Sequence, residues 1–131
     1  MKVLIVEDDF TSRLLLQKIL QPYGESHIAV NGKEAVQAFR AALGEGRPYD
    51  LVCLDIMLPE MGGQETLQAM RRLEEAAGDT AGRGARIIMT TALDDSGNIL
   101  KAFREQCDAY LVKPIDKSAL LAHLRSFGMI P

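Results

Sequence analysis

The chain has little to attract a nucleic acid. Its 15 lysines and arginines are outnumbered by 18 aspartates and glutamates, and the net charge is -3. Nucleic-acid binders usually show a basic footprint, so direct binding of that kind is not expected. No apolar run approaches the roughly 20 residues that cross a bilayer, so membrane insertion is not expected either. The N-terminus lacks the charged region, apolar stretch and small-residue cleavage site of a secretory signal. There are only 2 cysteines. Cys53 and Cys107 show no Cys-x-x-Cys spacing and read as free thiols of a reducing cytoplasm rather than a disulfide. With 131 residues, 47% of them hydrophobic and 25% charged, the chain suffices for one globular domain with a core and is too short for two.

What is present is alternation. Apolar runs of strand length alternate with helical periodicity along the whole chain. Strand one is expected over Lys2 to Val6. A helix follows over about Phe10 to Gln21, capped by Asp9 and burying Leu15, Leu16, Ile19 and Leu20. Strand two is short, near His27 to Val30. Asn31 with Glu34 three residues on resembles a capping box. The helix it opens buries Ala35, Val36, Phe39, Ala42 and Leu43, and Gly44 and Gly46 end it. Strand three covers Leu51 to Leu54. The third helix spans about Gln64 to Ala77 with Leu67, Met70 and Leu73 inward, and strand four Arg86 to Thr90. A fourth helix is expected over about Gly97 to Gln106 and strand five over Ala109 to Val112. Asp116 caps a last helix whose buried face is Leu120, Leu121 and Leu124. Gly78 to Gly84 reads as a surface loop. This order predicts an α/β fold: a parallel sheet with right-handed crossovers and helices on both faces.

Several acids and one lysine fall where these strands end. An apolar run delivers Asp55, and the chain then turns through Pro59 and Gly62-Gly63. A buried strand has no use for an acid in its interior, whereas the strand's end is where α/β folds place their chemistry. Strand one runs into Glu7-Asp8-Asp9, and strand five ends in Lys113-Pro114. Glu7, Asp8 and Asp55 offer the oxygen ligands that a hard cation such as Mg²⁺ takes. Lys113 can pair with Asp55 or hold a phosphate oxygen. Taken singly, the acidic run is a solvated turn plus a helix cap, and Lys113 a surface residue. Their convergence on one sheet edge argues for a site.

Asp55 is either a ligand alone or also a nucleophile, since carboxylates form acyl phosphates; the residues leave both open. Crowded beside other acids, it stays ionised only with a cation present. A cis bond to Pro114 would fix the direction of the lysine, against a base rate that favours trans. Thr90 and Thr91 end strand four, and alternation aims only one of them at the site. Tyr110 reads as a half-buried aromatic whose hydroxyl reaches water. His27 and His123 read as ordinary surface residues, and Met57, Met61 and Met70 as packing.

These pieces in this order resemble the receiver domain of two-component response regulators, the CheY-like family. The motifs are an acidic pair after strand one, Asp-x-x-x-Pro after strand three, Thr-Ala after strand four and Lys-Pro after strand five. The resemblance covers Lys2 to about Phe127. It implies a (βα)5 doubly wound, flavodoxin-like fold: a five-stranded parallel sheet in the order 2-1-3-4-5. It further implies a single receiver domain over residues 1–131, with no output domain, in the cytoplasm. Glu7 and Asp8 would be the acidic pair, a register that Arg13 in the first helix favours over Asp8-Asp9. Asp8 would contact Mg²⁺ directly and Glu7 through water, with the carbonyl of Met57 completing the metal shell. Asp55 would be the phosphoacceptor, Thr91 the switch hydroxyl and Tyr110 the switch aromatic. Lys113, with a cis peptide to Pro114, would bind the phosphoryl group. Met57 and Leu93, two positions after Asp55 and Thr91, would flank it. Both are apolar, which implies slow hydrolysis. The departures are a long loop at Gly78 to Gly84 and Gln106-Cys107-Asp108 before strand five, where a glycine is common.

The function implied is acceptance of a phosphoryl group from a sensor histidine kinase, or from a small acyl phosphate. The face made by the fourth helix, strand five and the last helix would then repack to control a partner protein. Relay of the phosphoryl group to a histidine phosphotransfer protein is an alternative within the same class. An Mg²⁺-dependent phosphohydrolase of the haloacid dehalogenase type also uses an aspartate nucleophile. It places a second acid two positions on, where this chain has Met57. A flavodoxin-like flavin carrier would need a hydroxyl- and glycine-rich first loop in place of Glu7-Asp8-Asp9.

Overall fold

Alternate residues of each strand face opposite sides of the sheet, and here both sides are apolar. Val3 and Ile5 pack with Leu51, Cys53 and Ile88 on one face; Leu4 and Val6 pack with Val52, Leu54, Ile87 and Met89 on the other. Such strands are stable only between two helical layers. The computed structural model, which describes residues 1–78, 84–92 and 106–131, has that architecture.

The elements are β1 (Lys2–Val6), α1 (Phe10–Leu20) with a 3-10 turn (Gln21–Tyr23), β2 (Glu25–Ala29), α2 (Gly32–Gly44), β3 (Leu51–Asp55), α3 (Gly63–Ala76), β4 (Arg86–Thr91), β5 (Ala109–Val112) and α4 (Lys117–Ser126). The five strands run parallel in the order β2-β1-β3-β4-β5. Leu16, Ile19 and Leu20 of α1 and Leu120, Leu121 and Leu124 of α4 cover one face. Ala35, Phe39 and Ala42 of α2 and Leu67 and Met70 of α3 cover the other. The helix expected over Gly97 to Gln106, apart from Gln106 itself, and most of the Gly78 to Gly84 loop lie outside the described residues.

The expected caps are in place. Asp9 accepts from the Ser12 amide at 2.9 Å, Asn31 from the Glu34 amide at 2.8 Å, and Asp116 from the Ala119 amide at 3.1 Å. The Glu34 carboxylate reaches back to the Val30 amide at 3.2 Å, one residue beyond the N-cap amide of the standard box. Both cysteines are free thiols, and burial pushes Cys53 up to about 12.

Several readings need correction. Strand two begins at Glu25, because pairing with β1 draws Glu25 and Ser26 into the ladder opposite Lys2 and Val3. Leu15 is 38% exposed: it lies about 100° around α1 from Leu16, off the buried stripe. Met70 is fully buried, but Met57 is 63% exposed and packs no core. His27 is more than a surface residue. Its Nδ1 lies 2.7 Å from the hydroxyl of buried Tyr49 and its Nε2 2.6 Å from the Glu25 carboxylate, so it gives the tyrosine a polar partner under the edge strand.

Candidate functional site

The site is assembled at the C-terminal ends of β1, β3 and β5. The apolar run of β1 carries straight into Glu7, which is 1% exposed, and the Glu7 amide donates to the Ala29 carbonyl at 3.1 Å. The next residue, Asp8, is exposed. Asp9 has left the site to cap α1. Arg13, one turn into that helix, donates to the Glu7 carbonyl at 3.3 Å and ties the helix to the end of the strand.

Asp55 closes β3 opposite Thr90 and is 4% exposed. The loop after it is held at several points. The Met57 amide donates to Asp55 Oδ1 at 3.1 Å, the Gly63 amide to the Ile56 carbonyl at 3.0 Å and the Met61 amide to the Pro59 carbonyl at 2.7 Å. Gly63 is required where α3 begins: a Cβ there would lie 2.6 Å from the Asp55 carbonyl oxygen. Lys113 follows β5, its amide donating to the Thr91 carbonyl at 2.7 Å, and its bond to Pro114 is cis. The lysine ammonium reaches Glu7 Oε1 at 2.7 Å and Asp55 Oδ2 at 3.2 Å.

One ammonium thus stands between two buried carboxylates. Burial pulls Lys113 down, but the carboxylates of Glu7 and Asp55 outweigh it and hold the ammonium above its ordinary value. Burial pushes Glu7 up, Lys113 opposes this, and the neighbouring Asp55 adds to it; the result is about 7. Glu7, Asp8 and Asp55 each present an oxygen, all within 4.8 Å of one another. Three carboxylates against one ammonium leave a negative excess that a divalent cation would cancel. The donor set is all oxygen, the kind that suits Mg²⁺ or Ca²⁺ rather than zinc. The residues therefore fit a hard cation.

Of the other expected residues, Thr91 ends β4 and Tyr110 lies in β5, the strand that leads to Lys113. Thr91 is buried and its hydroxyl donates to the Ala92 carbonyl at 3.1 Å. Tyr110 pairs with Met89 across β4 and β5 and is 41% exposed. Leu93 lies outside the described residues. The close contact of Lys113 with Glu7 was not foreseen from sequence. The available signal was the unbroken apolar run of β1, which leads into Glu7 and so implies its burial.

A response regulator receiver domain model matches residues 3–125. The chain belongs to the response regulator receiver domain family. The receiver is 33% identical over 126 residues to the probable transcriptional regulatory protein SilR of Salmonella typhimurium, covering 96% of this chain and 50% of that protein. It spans about half the length of the curated transcriptional regulators it matches. Among solved structures it resembles the receiver domain of the sensor histidine kinase PA1611 of Pseudomonas aeruginosa PAO1, with a TM-score of 0.69, 25% identity and 97% of each chain covered. That protein holds a magnesium ion in its active-site cleft. It also resembles the Vibrio cholerae chemotaxis protein CheY4, with a TM-score of 0.75, 26% identity, and 96% of this chain and 97% of that one covered. The receiver therefore has the CheY-like, flavodoxin-like fold expected from its sequence, and its acidic cluster fits a metal site.

Proposed function

We propose that Asp55 accepts a phosphoryl group from the phosphohistidine of a sensor histidine kinase and that the receiver then controls a downstream protein. The observation that carries this reading is the Lys113 ammonium, shared between Glu7 and Asp55 beside a third carboxylate. Such an arrangement sets the Asp55 carboxyl beside a cation that can pair with the incoming phosphoryl oxygens. An Asp55 oxygen attacks phosphorus in line, the bond from phosphorus to the histidine nitrogen breaks, and the electron pair leaves with the imidazole. The Met57 amide holds Oδ1 in place, leaving Oδ2, on the lysine side, to react. As negative charge moves onto the phosphoryl group, Lys113 shifts its pairing from the carboxylate to a phosphoryl oxygen. Mg²⁺ held by Glu7, Asp8, Asp55 and the Met57 carbonyl would neutralise charge on the transferring group.

The buried Thr91 hydroxyl, now on the Ala92 carbonyl, would turn to a phosphoryl oxygen. Tyr110 would follow it inward from its half-exposed position and repack the face of β5 and α4, a switch biased by a local charge. In this reading the receiver is a cytoplasmic phosphoacceptor rather than an enzyme acting on other substrates. A net charge of -3 favours a protein partner over direct contact with nucleic acid.

The test is incubation with acetyl phosphate and Mg²⁺. One phosphoryl group, labile to hydroxylamine, should be gained by the parent and not by Asp55→Asn. Equal uptake by the variant refutes the assignment.

A further inference from the structure

Of the 6 methionines, Met70 and Met89 are fully buried and Met1, Met61 and Met129 are partly covered. Met57 stands apart: 63% of it is exposed. Peroxide reaches thioethers in proportion to their exposure, so Met57 is the methionine most open to oxidation. It is also tied to the site, because its amide donates to Asp55 Oδ1 at 3.1 Å. The loop is braced by Gly63 to Ile56 and by Met61 to Pro59, so the backbone of Met57 is held at the rim of the site.

We propose that Met57 is a peroxide-sensitive modification site whose sulfoxide shortens the life of the phosphoryl group on Asp55. This rests on Asp55 being the phosphoacceptor. In the reaction, one oxygen of hydrogen peroxide bonds to the methionine sulfur as the O–O bond breaks. Sulfur loses two electrons to the peroxide, and the other oxygen leaves as water. The product replaces an apolar thioether with a polar S–O acceptor. Hydrolysis of an acyl phosphate needs a water aligned on phosphorus, and a thioether offers that water little to hold it. A sulfoxide oxygen on the same braced rim accepts its hydrogen bond. As an acceptor and not a base, it should speed hydrolysis roughly threefold to tenfold, below the range of about 10²–10⁴ that general acid–base groups contribute. A sulfoxide reductase would restore the thioether, making the change reversible.

The experiment treats the whole receiver with limiting hydrogen peroxide and maps oxygen uptake by peptide mass spectrometry. It then follows phosphate loss after the donor is removed. The same is done for Met57→Leu, each protein being compared only with its own untreated sample. Met57 should gain oxygen first, treated parent should lose phosphate faster than untreated parent, and treated Met57→Leu should keep its untreated rate. Oxidation that begins at another methionine overturns the proposal. So does a parent that is phosphorylated but decays at one rate before and after treatment, or a Met57→Leu protein that accelerates equally. A receiver that takes no phosphate before treatment overturns the phosphoacceptor reading instead, and the effect on lifetime falls with it.

Discussion

Replacing Glu7 with Gln should flatten one part of the protein's pH–stability profile. Glu7 is 1% exposed, and burial, reinforced by Asp55 and opposed by Lys113, raises it from 4.5 to about 7. In the unfolded chain it releases its proton near the ordinary carboxylate value. Between about pH 4.5 and 7 the folded state therefore binds more protons than the unfolded state, and stability falls as pH rises. Below that window both states are protonated and the stability is fully present; above about 7 it is fully lost. At about 1.4 kcal/mol per pH unit, the interval sets an upper figure of about 3 kcal/mol. For a domain of this size that corresponds to about 10 °C in Tm. Gln has the shape of the acid and does not titrate, so Glu7→Gln should lack this component. The assay is thermal or urea unfolding of both proteins, without divalent cations, at several pH values from 4.5 to 8. Subtracting one profile from the other removes the groups they share. The stability of the variant relative to the parent should rise through the window and level off above 7. A difference that does not vary with pH would refute the account of a carboxyl held protonated by burial.

Asp8→Ala should relieve repulsion in the cluster and raise Tm without metal, while losing the stabilisation that Mg²⁺ gives the parent; equal Mg²⁺-induced shifts in the two proteins would count against the cation site. His27→Ala leaves the hydroxyl of Tyr49, a residue 5% exposed, without its imidazole partner and should cost about 1–3 kcal/mol in urea unfolding, whereas His123→Ala serves as a control expected to change little. Gly63→Ala would place a Cβ 2.6 Å from the Asp55 carbonyl oxygen and should both lower stability and slow phosphorylation by acetyl phosphate; a variant with the parent's melting curve and uptake would show that the start of α3 gives way freely.

Much of this molecule could be read from local pattern. The strands announce themselves as apolar runs because both faces of a parallel sheet are covered. Asp9, Asn31 and Asp116 cap their helices through contacts spanning three residues. The acids after strands one and three and the lysine after strand five are visible as charges at the ends of apolar runs. Parallel alternation brings such ends to one edge, so the convergence of Glu7, Asp8, Asp55 and Lys113 was legible without coordinates.

The local pattern does not contain distance and burial between residues far apart in the chain. Lys113 meets Glu7 at 2.7 Å and Asp55 at 3.2 Å because β1 and β3 lie side by side in the sheet while β5 forms its edge. That geometry, with the burial of Glu7, holds the carboxyl near 7. Arg71 and Asp108, 37 positions apart, pair at 3.0 Å, and Arg71 also holds buried Glu74 at 2.8 Å. His27 finds Tyr49 because the chain folds β2 and the approach to β3 into one layer. Met57 is exposed, although its residue type favours the core, because among the described residues no layer covers the loop after β3. Sequence periodicity reports which face of an element is apolar. Which faces are then covered, and which charges are forced together, depends on the assembled layers, since desolvation and Coulomb energy follow distances in space rather than along the chain.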